Sequence, residues 1–231
     1  MRIGVIGAMD VEVAALKEKL TKADAKTIAG MTFCEGELGR NTVIIVQSGV
    51  GKVNAGCCVQ ILCDLYHVDK ILNTGVAGSL DAKINIGDFV VSTEAMYHDV
   101  DATIFGYAKG EVPQMHMVTF PADEELRKAA VAAIHESAPE CQVFEGRIVS
   151  GDQFISSLEK KKELSDTFHG ECAEMEGAAI AQAATINKVP YVIIRAISDK
   201  ADGSDVCDYP KFEALAARHC AAIVSDMLES L

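Results

Sequence analysis

Basic residues are in short supply in this chain. Its 231 residues hold 21 Lys and Arg against 34 Asp and Glu, a formal net charge of -13, which opposes a polyanionic partner such as nucleic acid. The same deficit disfavours a heavily phosphorylated substrate and suits a neutral small molecule. Eight cysteines are present, at 34, 57, 58, 63, 141, 172, 207 and 220, but no CxxC pair occurs among them. Scattered through apolar segments, they fit reduced intracellular thiols better than a disulfide framework. The six His are not spaced as metal ligands with these cysteines, so no metal and no cofactor is expected. No apolar run approaches a membrane span, and because Met1-Arg2 leads straight into a predicted strand, no signal peptide is expected. A cytoplasmic chain without a membrane partner is therefore expected. Linkers, low-complexity tracts and internal repeats are also missing, so residues 1–231 are expected to form one domain. Ser48-Gly-Val-Gly-Lys52 fails the P-loop spacing, and the third glycine of a dinucleotide fingerprint is replaced by Asn54.

The residues that are present predict an α/β fold. Hydrophobic content of 49% with 24% charged suits a compact enzyme. The most informative stretch is Glu171 to Asp202. Glu174-Met-Glu176 opens an Ala-rich run to Asn187 with strong helix propensity. Pro190 stops that run, and Tyr191 to Ile197 reads as a buried, largely β-branched strand. Ser198-Asp199 then stands at the strand's carboxyl end, where open α/β sheets bind ligands. Taken singly, such residues are often only helix caps or dipole partners, so the argument rests on whether other segments converge on one pocket.

Several segments have the same form. Arg2–Gly7 is a short buried strand, followed by a helix carrying Glu12 in its first turn and Val13, Leu16 and Leu20 on one face. Met31–Leu38 and Thr42–Gln47 predict a hairpin, and Val53–Tyr66 a helix after the two glycines of Ser48–Gly51. Asp69–Thr74 is a strand ended by Gly75-Val-Ala-Gly78, and Gly87–Glu94 is another. Met96–Met117 reads as a long irregular loop whose Ile104, Phe105, Tyr107 and Pro113 suit a docking surface on a partner subunit. Asp123–Glu136 is an amphipathic helix, and Val143–Ser150 a strand ending at Gly151-Asp-Gln-Phe-Ile155. Phe154 and Ile155 fit either the core or the wall of a planar ligand's pocket. A polar loop (202–210) precedes a closing helix from Lys211 to Leu231.

Gly7–Glu12, Ser48–Gly51, Asn73–Gly78, Ser150–Phe154, Ala173–Gly177 (with its EMEG) and Arg195–Asp199 (RAISD) occur in an order that resembles the nucleoside phosphorylase/nucleosidase family. Within it, the chain most resembles the bacterial 5′-methylthioadenosine/S-adenosylhomocysteine nucleosidases, over essentially its whole length. The resemblance implies a three-layer α/β/α sandwich with a central mixed, twisted sheet. It also implies hydrolysis of the N-glycosidic bond of methylthioadenosine, S-adenosylhomocysteine and possibly 5′-deoxyadenosine. Glu12 would activate water, Asp199 steadied by Ser198 would protonate purine N7, and Glu176 with the Met175 backbone would hold the ribose hydroxyls. Phe154 would stack on the purine, with the backbone near Ile155 reading its edge. Ala8, Met9, Val50, Val76, Ala77, Gly78, Met175 and Tyr209 would line the substrate, with Glu174 beside the motif. Phe105 and Pro113 would reach the pocket from the other subunit of a homodimer. Val76 stands where a small polar Ser is expected, and Tyr209 where a Phe is usual.

The chemistry asks for such residues. Glycosidic cleavage pairs an acid on the leaving group with a carboxylate activating water, and Asp199 must hold a proton when substrate is bound. Glu12 and Glu176 are expected to supply the carboxylate neighbours that keep it there, with few compensating cations. A purine nucleoside phosphorylase shares the fold, but phosphate needs cations where Asp10 and Glu12 stand. An aminofutalosine nucleosidase would use the same machinery on a different 5′ substituent. A non-catalytic nucleoside-binding protein would not require all three acids.

Overall fold

The structure, a computed structural model, describes residues 1–203 and 209–231; the side chains of 209–215, 217 and 218 lie outside the description. Three strands show how it is layered. β1 (Arg2–Gly7) is parallel to both β4 (Asn41–Gln47) and β5 (Lys70–Ser79). Its Ile3 and Val5 enter one core and its Ile6 the other. Val43 and Ile45 of β4 face the first core, Ile44 and Val46 the second. In β10 (Tyr191–Asp199), Val192, Ile194 and Ala196 oppose Tyr191, Ile193 and Ile197 in the same way. Strands covered on both faces read as unbroken apolar runs for this reason.

Helices supply the two covers. The side chains of α1 (Asp10–Lys17), α3 (Glu124–Ser137) and α6 (Tyr209–Ser230) fill the first core. Those of α2 (Lys52–Tyr66) and α5 (Gly177–Asn187) fill the second. This is the expected three-layer α/β/α sandwich around a mixed sheet. A smaller cluster, including Leu164 and Phe168, lies under α4 (Leu158–Phe168).

The remaining strands are β2 (Thr21–Ile28), β3 (Met31–Leu38), β6 (Phe89–Tyr97), β7 (Phe120–Pro121), β8 (Val143–Ser150) and β9 (Cys172–Glu174). The ten-stranded sheet runs β10-β6-β8-β9-β5-β1-β4-β3-β2, with β7 on β6. β10 also pairs with β5, so the β10-β6-β8-β9 end curls back upon β5. That curvature gathers the carboxyl ends of β1, β5, β8, β9 and β10 above one hollow.

Five sequence expectations need correction. β5 does not end at Thr74 but continues through Gly75–Gly78, because β10 and β9 pair along that segment. α1 stops at Lys17, one turn before Leu20, which packs at the edge of the core from a connecting turn. β2 and α4 are additional elements: β2 is an exposed edge strand paired only with β3, and its charged side chains blunt that edge. β9 adds a third, short one. The stretch between β6 and β7 is irregular, as expected, holding only a 3₁₀ turn (Thr103–Phe105) and a Val112–Met117 bridge. No described helix is long and apolar enough to cross a membrane. The seven described cysteines are free thiols, and Cys207 lies outside the described residues.

Candidate active site

The hollow at the strand ends is a cavity of ≈ 220 Å³. Glu12, Glu176 and Asp199, drawn from segments far apart in the chain, all line it. So do Ala8, Met9, Val50, Val76, Ala77, Gly78, Phe154, Ile155, Glu174, Met175 and Ser198. Gln153 and Ala173 complete the wall. Among the described residues, no Lys or Arg lines it. Tyr209 opens α6, but its side chain lies outside the described residues.

Glu12 sits in the first turn of α1 yet is 4% exposed, so it is not the solvated dipole partner that a surface Glu would be. Its Oε2 accepts from the N–H groups of Ala8 (2.7 Å) and Met9 (3.0 Å), and Oε1 from Val76 N–H at 3.2 Å. Burial raises its pKa, opposed by the Arg195 charge and by those three backbone donors. The side chain of Val76, where a polar residue was expected, takes no part in that bond.

Glu174 and Glu176 divide their tasks. Glu174 accepts from Gly177 N–H (2.8 Å) and Glu176 N–H (3.2 Å), capping α5. It also takes the Ser150 hydroxyl and the Arg195 guanidinium. Glu176 accepts from Gly51 N–H at 2.8 Å, while Asp152 accepts from Lys52 N–H at 2.9 Å. Thus the Ser48–Gly51 and Ser150–Phe154 segments are tied into one rim. Burial, then Glu174, push Glu176 up to about 7.

Two cations enter this region. Arg195 is 2% exposed and donates to Asn73 Oδ1 at 2.6 Å as well as to Glu174, with Glu176 Oε2 at 4.0 Å. Burial alone would lower its pKa, but Glu174, Glu176 and Glu12 more than offset this, holding it as a cation. Lys161 of α4 donates to Asp199 Oδ2 and to the Lys200 carbonyl. The charged neighbour in contact with Asp199 is therefore an ammonium rather than the expected carboxylates. Ser198 Oγ donates to Asp199 Oδ1 at 2.8 Å, with the Ala77 carbonyl at 3.2 Å.

Two glycines of β5 make room for this. A Cβ on Gly75 would lie 2.5 Å from Glu12 Oε1, and one on Gly78 2.9 Å from Asp199 Oδ2. Neither gap admits a methyl group, so the bare backbone lets both acids lie against the strand. Phe154 is 74% exposed, leaving its ring face open at the mouth. Phe105 and Pro113 do not line this cavity. Phe105 is 81% exposed, and Pro113 borders a second cavity of ≈ 490 Å³ with Val53, Tyr97 and Ile186. Glu140, Cys141 and His219 form the one group of metal-capable side chains among the described residues, and none lines the acidic cavity.

Sequence reasoning passed over Arg195, Lys161 and Ser150. A charged residue inside the apolar run Tyr191–Ile197 was itself a signal for Arg195. For Lys161, the spacing to Leu164 and Phe168 places it on one helical stripe. Nothing in the sequence distinguishes Ser150 from an ordinary strand-end serine.

Comparison with known proteins places this architecture. The model of the phosphorylase superfamily matches residues 2–229. A 5′-methylthioadenosine/S-adenosylhomocysteine nucleosidase of Bacillus thuringiensis (strain Al Hakam) is 42% identical over 232 residues, covering all of both chains. One from Staphylococcus carnosus (strain TM300) is 41% identical over 99% of this chain and 100% of the relative. Among solved structures, the Neisseria meningitidis nucleosidase in complex with methylthio-immucillin-A superimposes with a TM-score of 0.93 at 37% identity, covering 100% of this chain and 99% of that one. Likeness at this level runs through sequence and fold alike and from end to end: the chain belongs to the phosphorylase superfamily, in the same family as these nucleosidases.

Proposed function

We propose that this chain hydrolyses the N-glycosidic bond of 5′-methylthioadenosine and S-adenosylhomocysteine, releasing adenine and the thioribose. The observation that carries the reading is an acid-lined cavity in which, among the described residues, no lining side chain is a cation. A phosphate nucleophile would meet carboxylates there, whereas water meets a base. The names of the full-length relatives agree with this substrate class.

In this reading Asp199 gives its proton to purine N7 as the C1′–N9 bond breaks and the bonding pair enters the base. Glu12 takes a proton from the attacking water, whose oxygen bonds to C1′. Asp199 has then lost one proton and Glu12 gained one, and exchange with solvent resets the pair. Glu176 hydrogen-bonds the ribose hydroxyls, and Phe154 closes over the adenine face. Each acid–base group contributes on the order of 10²–10⁴ in rate. Incubation with methylthioadenosine, with and without phosphate, tests the reaction: free methylthioribose without phosphate is expected, and a phosphate-dependent sugar 1-phosphate would overturn it.

The active form is a homodimer in this reading. Val53 and Ile186 are 77% and 60% exposed beside the second cavity, and Ile104 and Phe105 stand out from the loop. Exposed apolar side chains around that cavity and on that loop suit a second copy, whose Phe105 and Pro113 would complete the 5′ side of the pocket. A sedimentation experiment finding a fully active monomer excludes it. Free, partly buried thiols support a reducing, cytoplasmic setting.

A further inference from the structure

α4 carries three consecutive lysines with different surroundings. Lys160 and Lys162 reach outward to Glu163 and Asp166, at 3.0 and 2.9 Å. Lys161 turns inward, joining Leu164 and Phe168 on the buried face of the helix, and is 4% exposed. Burying an ammonium is unfavourable unless it is paired, and packing alone would be served better by an apolar residue. Its Nζ has two acceptors, Asp199 Oδ2 and the Lys200 carbonyl at 2.7 Å. The pair is asymmetric: the Lys161 side chain is shut off, while that of Asp199 is 37% exposed towards the cavity it lines.

We propose that Lys161 is a positioning residue for the reaction, gripping Asp199 Oδ2 while Ser198 grips Oδ1, and stabilising the carboxylate that Asp199 becomes when its proton passes to the purine. This rests on the reading of Asp199 as proton donor. A carboxyl group has about four lone-pair sites, so two donors fix its plane and still leave a site on each oxygen for the transferred proton. A fixed cation beside the conjugate base acts most strongly once the proton has left. Its benefit therefore falls on the transition state more than on substrate binding. Gly78 forms the opposite wall, where a Cβ would stand 2.9 Å from the same oxygen.

Lys161→Met keeps the length and apolar stem while removing the charge, and leaves behind an Asp199 side chain that already meets solvent. On methylthioadenosine it is expected to lower kcat roughly 10-fold or more with KM changed less than about 2-fold. Lys161→Arg is expected to restore most of the loss. Adding Lys161→Met to Asp199→Asn is expected to cost nothing further, because the lysine acts through that carboxyl. Normal kcat in Lys161→Met overturns the proposal. So does a loss that Arg does not rescue and that tracks a lowered melting temperature, or a loss that adds in full to that of Asp199→Asn. If Lys161→Met does not fold, Lys161→Gln replaces it in the same comparison. The underlying reading fails separately: Asp199→Asn with near-normal turnover removes Asp199 as donor, whereas an inactive Asp199→Asn beside a normal Lys161→Met removes the lysine alone.

Discussion

Two ion pairs lie within a few residues of each other on β10, and they are built oppositely. In Arg195–Glu174 both side chains are sealed, at 2% and 3% exposure. Every remaining bond of that glutamate goes to the α5 amino end or Ser150. Lys161–Asp199 seals only its cation. A pair with both side chains buried and tied to neighbouring elements serves chiefly to hold the fold. One that leaves its carboxylate at a cavity wall keeps that group available for chemistry.

Breaking the closed pair has the largest expected effect. Arg195→Met strands Glu174 as a buried, unpaired acid and is expected to cost about 3–5 kcal/mol of stability, read from the urea midpoint. The open pair should show the reverse pattern. Asp199→Asn is expected to reduce turnover by roughly 10²–10⁴ and to cost less stability than Arg195→Met, because the buried Lys161 ammonium keeps the amide oxygen and the Lys200 carbonyl as acceptors; comparable losses of stability in both variants would erase the distinction.

Glu176 sharpens the comparison through pH. Its carboxyl titrates at about 7 in the folded chain against a reference of 4.5. Between those values the folded chain keeps a proton that the unfolded chain has released, so stability falls as pH rises through that window. Glu176→Gln is expected to flatten that slope, a difference on the order of 1–3 kcal/mol between pH 5 and pH 8, in paired denaturation curves. An unchanged slope would assign the pH dependence elsewhere. The smallest effect is expected at Val76, whose N–H rather than side chain meets Glu12. Val76→Ser should change kcat/KM by less than about 3-fold and cost about 1 kcal/mol in packing.

Much of this was legible in the sequence, for a definable reason. β8 and α5 match their expected limits, and β10 overruns by the two residues Ser198 and Asp199, because apolar runs and Pro190 mark their edges. β2 was not legible: its residues are nearly all exposed, and it is held by main-chain pairing to β3. α4 was hidden by its own composition, since LEKKKELSDTF has a narrow apolar stripe with a lysine at one core position. Glu12 and Asp199 stood out as acids past strand ends and Glu176 as an acid opening a helix, and the family resemblance is what joined the three. Of the cations, Arg195 was marked by its place inside an apolar strand, whereas Lys161 lies within a basic triplet whose inward member shows only once α4 is in view.

The glycines at 75 and 78 set how freely this chain can drift. One added carbon at either position would displace an acid held by a different element, α1 in one case and the end of β10 in the other. A substitution tolerated there would have to be answered at the same time by a compensating change elsewhere. Two codons of β5 are thereby tied to the history of two distant segments, and libraries aimed at new substrates would do well to leave them untouched.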